Sequence, residues 1–587
     1  MRKTKIVATL GLVSDSVESI KSLIDAGINV ARINFSHGDY DSHRELMERV
    51  IKAREELDAP IALMLDTKGP EIRTGALLGD NVEITQGQKF VFTTNDIIGN
   101  ETKVSVSYRQ LPDDVQVGGR ILVDDGLIEF KIIGKTGTDI ECEAANSGTL
   151  GSRKGVNVPD VYLNLPSLTE KDIEDIKFGI KMDIDYIAAS FVRSAKDVLE
   201  IREILEKNGG SKIHIIAKIE SRDGVNNIDG ILEVADGIMV ARGDLGVEIP
   251  PEEVPLVQKQ LIKRSNQAGK PVITATHMLE SMISNPRPTR AEATDVANAI
   301  FEGTDAVMLS GETAMGKYPV EAVKMMARIA EHTESARDYK ELLSSNKEYR
   351  ISTTNAICYS TCATAADLDA AAIATVTESG FTARKVSRFR PHCPIVAVAL
   401  NRRVWRQLSL VWGCYSIFYD KPVSEVDVFK VASVQAEKAG FAKNGQSIII
   451  TAGLPVGIAG STNIIKVEVV GDVLAQGDVK VDVPEPVVGR AVVVKQPEKA
   501  ELKFRKDDIL IVPSIDERMI DFIRRAKALI IATDKAIDTT YAETACHALQ
   551  IPLIVCGADA LEAIPDDISV TIDCKSGNIY NGDIDRK

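Results

Sequence analysis

Short β-branched runs alternate with amphipathic helical stretches along the first part of the chain, and that alternation is interrupted once. KIVATLG, SVESIKSLIDAG, INVARINFSHG, HRELMERVIKAREEL and IALMLDTKGP read β-α-β-α-β. The strands DYIAASFV, KIHIIAKIES, GIMVARGDLG, KPVITATHM and TDAVMLSGETA follow later, each leading into a helical stretch. Three strands before the interruption and five after it give eight strand–helix units. That count predicts a closed parallel (β/α)8 barrel over 1–69 and 166–344. An open doubly wound sheet would satisfy the same alternation. The interruption, 70–165, holds KFVFTTND, KVSVSY, GRILVDDGLIEFKIIG and DIECEAAN, which alternate with period two between Gly and Asp turns. It reads as a small inserted β domain, a β-barrel lid. Residues 345–472 resume a strand–helix pattern and read as a smaller α/β domain. The proline-bearing joint VDVPEPVVGR then opens a last domain, 473–587.

Side chains at alternate positions of a strand share a face. In KIHIIAKIES, Ile213, Ile215, Ala217 and Ile219 make an apolar face suited to helices, so Lys218 and Glu220 fall on the face toward the barrel interior. Arg32, Asn34 and Ser36 share a face of INVARINFSHG, and Thr274 pairs with Thr276 in VITATHM. Asp66 and Thr67 end IALMLDTKG, and Asp244 follows VARG beside two glycines. All lie near C-terminal strand ends, where barrel sites are assembled from different strands. One buried Lys–Glu pair would be explained equally well as a structural ion pair; five strands ending this way favour a site.

The residue types narrow the chemistry. Glu220 and Asp244 supply hard oxygen ligands suited to Mg²⁺ or Mn²⁺, and the seven histidines form no zinc-like pattern. Arg32 and Lys218 can clamp a phosphoryl group. Asn34, Ser36, Asp66 and Thr67 carry oxygens with one negative charge, which suits a monovalent cation, although hydrogen bonding alone would also account for them. Phosphoryl transfer needs positioning, charge neutralisation and exclusion of water, and an insert above the mouth could close as a lid. GETAMGKY (311–318) matches GxxxxGK but ends in Tyr318, so it lacks the hydroxyl of a P-loop.

Lys plus Arg 70 against Asp plus Glu 85 gives a net charge of −15, which argues against nucleic acid or an anionic membrane as a partner. MRKTKIVATLGLV imitates a signal peptide, but its apolar run is short and leads into a helix, so it reads as the first strand. Eight scattered cysteines read as free thiols of a cytoplasmic protein.

At these residues the sequence resembles the pyruvate kinases. ARINFSHG, MLDTKGPEIRTG, IIAKIES, MVARGDLGVE and ATHMLESMISNPRPTRAE occur in that family's order, over residues 1 to about 472. The resemblance implies phosphoryl transfer from phosphoenolpyruvate to ADP, giving pyruvate and ATP, in a homotetramer. Arg32 would hold phosphate and Lys218 would stabilise the moving phosphoryl group. Glu220 and Asp244 would bind Mg²⁺. The backbone at Gly243 and Asp244, with the Thr276 hydroxyl, would hold the substrate carboxylate, and Thr276 could relay a proton to enolpyruvate through water. Asn34, Ser36, Asp66 and Thr67 match a K⁺ site, with Glu71 the residue type of K⁺-dependent members. Asn34, His37, Arg73 and Lys154 match nucleotide contacts.

TESGFTAR (377–384) lies at a strand-to-helix junction. Its N–H groups, with Thr377, Ser379 and Thr382 around Gly380, could cradle a phosphate beneath the loop GLPVGIAGSTN; an ordinary capped helix reads the same way. Similarity to the family's effector site implies a sugar phosphate or a nucleoside monophosphate such as AMP. In the tail, DTTYAETACHALQIPLIV resembles the TSHAAIVARELGIPAVV loop of phosphohistidine domains in phosphoenolpyruvate-using enzymes, a tail that extended bacterial pyruvate kinases carry. The phosphorylated histidine falls on Tyr541 and His547 lies six positions on, so this domain is expected to carry no phosphoryl group, and Cys546 reads as a buried apolar residue, with a labile thiol the alternative. Two other functions fit parts of the pattern: a Mg²⁺-dependent pyruvate lyase or aldolase barrel, and a non-enzymatic phosphocarrier or sensor.

Overall fold

The computed structural model describes residues 1–159, 161, 163, 165–345, 352–454, 462–471, 473–495, 503–535 and 537–582. Two compact units make up the chain: Met1–Ala363 with Thr375–Glu425 and Thr451–Ile464, and Thr364–Ala374 with Val426–Ile450 and Ile465–Lys587.

In the first unit, eight parallel strands close into a barrel in sequence order: Lys5–Thr9, Val30–Asn34, Ala62–Asp66, Tyr186–Ala189, His214–Ile219, Gly237–Ala241, Val272–Ala275 and Ala306–Leu309. The registers run from Val7↔Val30 round to Lys5↔Ala306. Closure, rather than an open sheet, follows from that last pairing. The strands are buried on both faces, as strands wrapped by crossover helices must be. Ile215, Ala217 and Ile219 pack in the outer core with the helices, while Ile216 joins Val7, Met64, Met239 and Ile273 inside the barrel. By the same alternation Lys218 faces inward. Local signals fix the helix starts. In PTRAE, Thr289 and Glu292 form a capping box: Glu292 N–H donates to Thr289 Oγ1 at 3.2 Å, and Thr289 N–H donates to Glu292 Oε2 at 2.7 Å.

Among its described residues, the insert after the third strand is all-β apart from one four-residue helical turn. Its described strands pair as an open six-stranded sheet and a separate two-stranded one, rather than a single closed ring. Phe90, Phe92 and Phe130 fill its centre, with ring centroids 5.1 to 5.3 Å apart. The next region alternates strand and helix. Ile395–Ala399 pairs in parallel with Cys414–Phe418 in the first unit, and Ala372–Ala374 with Ile448–Ile450 in the second. The end of the second unit is a closed seven-stranded barrel. Four of its strands, Val487–Val493, Ile509–Val512, Ala528–Ala532 and Leu553–Cys556, run parallel, and antiparallel partners complete the ring.

Among the described residues no helix is long and apolar enough to cross a membrane. All eight cysteines are free and buried.

Candidate active site

Three barrel strands bring four charged side chains into one connected chain at the mouth. Asp66 ends the third strand and is 1% exposed. Its Oδ2 accepts from Arg32 Nε at 2.6 Å, and its Oδ1 from Lys218 Nζ at 3.1 Å. Arg32 also donates to Thr9 Oγ1 at 2.7 Å. Lys218 Nζ lies 2.9 Å from Glu220 Oε1 and donates to Ser190 Oγ at 2.8 Å. Glu220 Oε2 accepts from the Phe191 N–H at 2.6 Å. Lys218 and Glu220 thus pair with each other, and other strands add Asp66 and Ser190 to the lysine and the Phe191 N–H to the glutamate. Asp66, expected as a cation ligand, sits between the guanidinium and the ammonium.

The electrostatics divide these groups. For Asp66, burial works against the charge, but Arg32 and Lys218 outweigh it and hold the carboxyl below its usual range. For Lys218, burial also works against the charge, and Asp66 and Glu220 outweigh it, so the pKa rises and the ammonium stays charged. Glu220 and Asp244 go the other way. Burial pushes both up; Lys218 offsets this only in part, and Asp244 adds to the push on Glu220 as Asp125 and Asp66 do on Asp244. The site therefore carries more buried negative charge than its cations neutralise, which fits a divalent ion. Among the described residues no three His, Cys, Asp or Glu cluster as a self-sufficient metal cage. Two carboxylates that leave the other positions to water and substrate oxygens are the donor set Mg²⁺ favours.

Thr276 departs from strand alternation. Its strand ends at Ala275, and Thr276 and His277 both adopt left-handed φ, 62° and 54°. A β-branched residue there is strained, a condition that clusters at functional sites. The Thr276 hydroxyl donates to Ala275 O at 2.7 Å and accepts the Gly243 N–H at 2.8 Å, which ties it to the turn bearing Asp244. Asn34 Oδ1 accepts the Ser36 N–H at 3.1 Å, and Ser36 and His37 lie beyond the end of the second strand, His37 exposed. Thr67 Oγ1 accepts the Ser190 N–H at 3.2 Å.

A cavity of ≈350 Å³ lies between the barrel mouth and the insert, lined by Phe191, Arg193, Asp244 and Glu248 from the barrel and Asp125 and Asn157 from the insert. Asn157 Nδ2 donates to Glu248 Oε1 at 2.8 Å, and Arg193 holds the carbonyls of Leu163 and Leu165 at 2.9 and 2.7 Å. Arg73 is bidentate to Glu71 at 2.8 Å, and Lys154 pairs with Asp124 at 3.0 Å. Sequence reasoning missed Ser190, Phe191, Asp125, Asn157 and Glu248. Ser190 is the polar residue at the C-terminal end of a barrel strand, so the rule that picked out the other strands would have found it. The insert residues carried no such signal.

At 377–382, Thr377 Oγ1 accepts the Gly380 N–H at 2.9 Å and Ser379 Oγ the Phe381 N–H at 3.4 Å, while the Thr382 and Thr462 hydroxyls meet at 2.8 Å. Helix Phe381–Ser387 starts from Gly380 at φ 74° without a side-chain cap, so the first two bonds close turns leading into it. Residues 455–461 of the loop expected above it lie outside the described residues. In the tail, Tyr541 is 45% exposed in the first turn of helix Thr540–Leu549, His547 sits in its last turn, and Cys546 is fully buried, its thiol pushed up to about 12 by burial.

The family model "Pyruvate kinase, barrel domain" matches residues 1–323, "Pyruvate kinase, alpha/beta domain" 355–468, and "PEP-utilising enzyme, mobile domain" 504–577. A pyruvate kinase of Geobacillus stearothermophilus is 50% identical over 584 residues, and one of Bacillus licheniformis 48% over 585, with 99% of both chains covered in each case. The crystal structure of a pyruvate kinase from Cryptosporidium parvum superposes with a TM-score of 0.76 at 40% identity, covering 80% of this chain and 96% of that one. With its barrel, its α/β elements and its tail all matched, this chain is an enzyme, a phosphotransferase, and belongs to the pyruvate kinase family.

Proposed function

We propose that the chain transfers the phosphoryl group of phosphoenolpyruvate to ADP, giving pyruvate and ATP. The observation that carries this reading is the linked set Arg32–Asp66–Lys218–Glu220 at the barrel mouth, with Asp244 beside it. Asp66 pairs with the guanidinium and the ammonium and fixes both, so they are preorganised to neutralise phosphoryl oxygens without reorganising during transfer. Glu220 and Asp244 would hold Mg²⁺, or Mn²⁺; such an ion supplies Lewis-acid neutralisation of phosphoryl charge. Asn34, Ser36, Asp66 and Thr67 would hold K⁺, which adds positive charge beside the same oxygens.

The Gly243–Asp244 backbone and Thr276 would receive the substrate carboxylate. Because the Thr276 hydroxyl proton is engaged by the Ala275 carbonyl, Thr276 suits a relay that exchanges protons with water better than a direct acid. Asn34, His37, Arg73 and Lys154 would contact the nucleotide. The insert, over 70–165, excludes water from the cavity beneath it.

Thr377, Ser379, Gly380 and Thr382 would bind a sugar phosphate or AMP as activator. The tail, with Tyr541 at the phosphorylated position, would carry no phosphoryl group. A cytoplasmic homotetramer completes the reading. The test is a lactate-dehydrogenase-coupled assay with phosphoenolpyruvate and ADP, run with and without K⁺ and sugar phosphates. No pyruvate under any of these conditions would reject the reading in favour of a lyase or a phosphocarrier.

A further inference from the structure

We infer that Ser190 is a positioning residue for Lys218, an inference that rests on the role proposed for that lysine. Ser190 follows the fourth barrel strand, Tyr186–Ala189, and is 6% exposed. Its hydroxyl donates to the Thr67 carbonyl at 2.6 Å, much the shorter of its two acceptor contacts; the other, to Asp66 Oδ1, is 3.4 Å. A hydroxyl has one proton and two lone pairs. With the proton held by Thr67, only lone pairs face the ammonium, which donates to them at 2.8 Å.

Lys218 has three N–H groups and three partners: Asp66, Glu220 and Ser190. The two acids compensate its charge. Ser190 adds none, so its contribution is direction: it fixes where the third N–H points. A flexible four-carbon stem would otherwise let the head swing between the two carboxylates.

The next residue strengthens the case. Phe191 adopts φ 55°, and its N–H holds Glu220 Oε2 at 2.6 Å. One dipeptide step thus holds both charged side chains of the fifth strand. Its close seat depends on Gly69, at φ 74°, where a Cβ would stand 2.8 Å from Phe191 Cδ2 and 2.9 Å from Ser190 Cβ.

The experiment measures kcat and KM for both substrates, with melting temperature alongside, in the full-length Ser190→Ala, Ser190→Thr, Lys218→Met and Ser190→Ala/Lys218→Met proteins. Ser190→Ala is expected to lower kcat by about 10- to 100-fold, less than loss of a direct transition-state donor. Each KM should stay within about twofold, and Ser190→Thr should recover most of the rate. In the Lys218→Met background, Ser190→Ala should cost nothing further, because a residue that acts through another is not additive with it. Near-normal turnover in Ser190→Ala, or the same loss with and without Lys218, would overturn the inference. Near-normal turnover in Lys218→Met would overturn the lysine's assignment itself, and this inference with it. A rate loss that tracks a fallen melting temperature and is not restored by threonine would assign Ser190 a structural role only, which also overturns it.

Discussion

Asp66→Asn tests the site and the fold together. The replacement keeps the shape of the side chain and removes its charge. Lys218 retains Glu220 at 2.9 Å, so its charge stays paired. Arg32 does not: its other side-chain hydrogen bond is to the neutral Thr9 hydroxyl at 2.7 Å, and it is 8% exposed. The asparagine oxygen can accept from only one of the two cations, and its NH₂ then meets an N–H donor on the other. One buried cation is left without an acid. Breaking a buried pair costs about 3–5 kcal/mol, and with only one of the two cations orphaned the lower figure applies. About 3 kcal/mol corresponds to a fall of about 6–12 °C in melting temperature for a domain the size of this barrel. Turnover should fall by about 10²–10³-fold, because Arg32 and Lys218 lose the group that aims them. Circular dichroism melting and the coupled assay on the purified protein measure the two effects. Asp66→Asn melting within a degree of the parent, with turnover within threefold, would refute the claim that this carboxylate organises the mouth.

Three further outcomes are expected. Asp185, fully buried just before the fourth strand, accepts from Arg406 Nε at 2.8 Å and lies 3.7 Å from Arg54. Asp185→Ala should cost about 3–5 kcal/mol in denaturant unfolding yet leave both KM values unchanged, since it lies at the end of the barrel opposite the site. Lys5 is 3% exposed and, among the described residues, forms no salt bridge: its Nζ donates to Cys414 O at 2.6 Å and lies over the Tyr415 ring, and burial lowers its pKa from 10.5 to about 8. Below pH 8 the resulting penalty, about 3 kcal/mol, is fully present. Between about pH 8 and 10.5 the unfolded chain binds more protons than the folded one, so stability rises with pH. Lys5→Met should therefore be more stable than the parent at pH 7, with the difference shrinking as pH approaches 10; melting curves across that range measure it, and a constant difference would contradict the assignment. Chelating divalent ions should abolish turnover without unfolding the protein. Restoring Mg²⁺ should raise the melting temperature, an effect absent in Glu220→Gln/Asp244→Asn.

The barrel and the chemistry of its mouth were legible in the sequence for one physical reason. A strand buried on both faces has no ordinary place for a charge, so Lys218 and Glu220 in KIHIIAKIES pointed to partners from other strands; Asp66, Ser190 and the Phe191 N–H are those partners, beside the ion pair the two make with each other. Period-two alternation then fixed their direction, and Ile216 inside the barrel beside Ile215 and Ala217 outside it bears this out. Alternation stops being informative where a strand stops. Thr276 was placed by extending the pattern from Thr274, yet its strand ends at Ala275, and the hydroxyl reaches Gly243 because the backbone has turned left-handed. Phe191 was hidden as well: it acts through its backbone N–H, from a turn just past its strand, and no side-chain pattern reports that. The insert's contribution was illegible for a different reason. Nothing local in KGVNVP or VDDG indicates that Asn157 reaches Glu248, or that Asp125 adds to the negative charge around Asp244. Those contacts depend on how a separately folded β domain is oriented over the barrel, and bonds between distant parts of the chain, such as Arg193 to the Leu163 and Leu165 carbonyls, follow no periodic pattern.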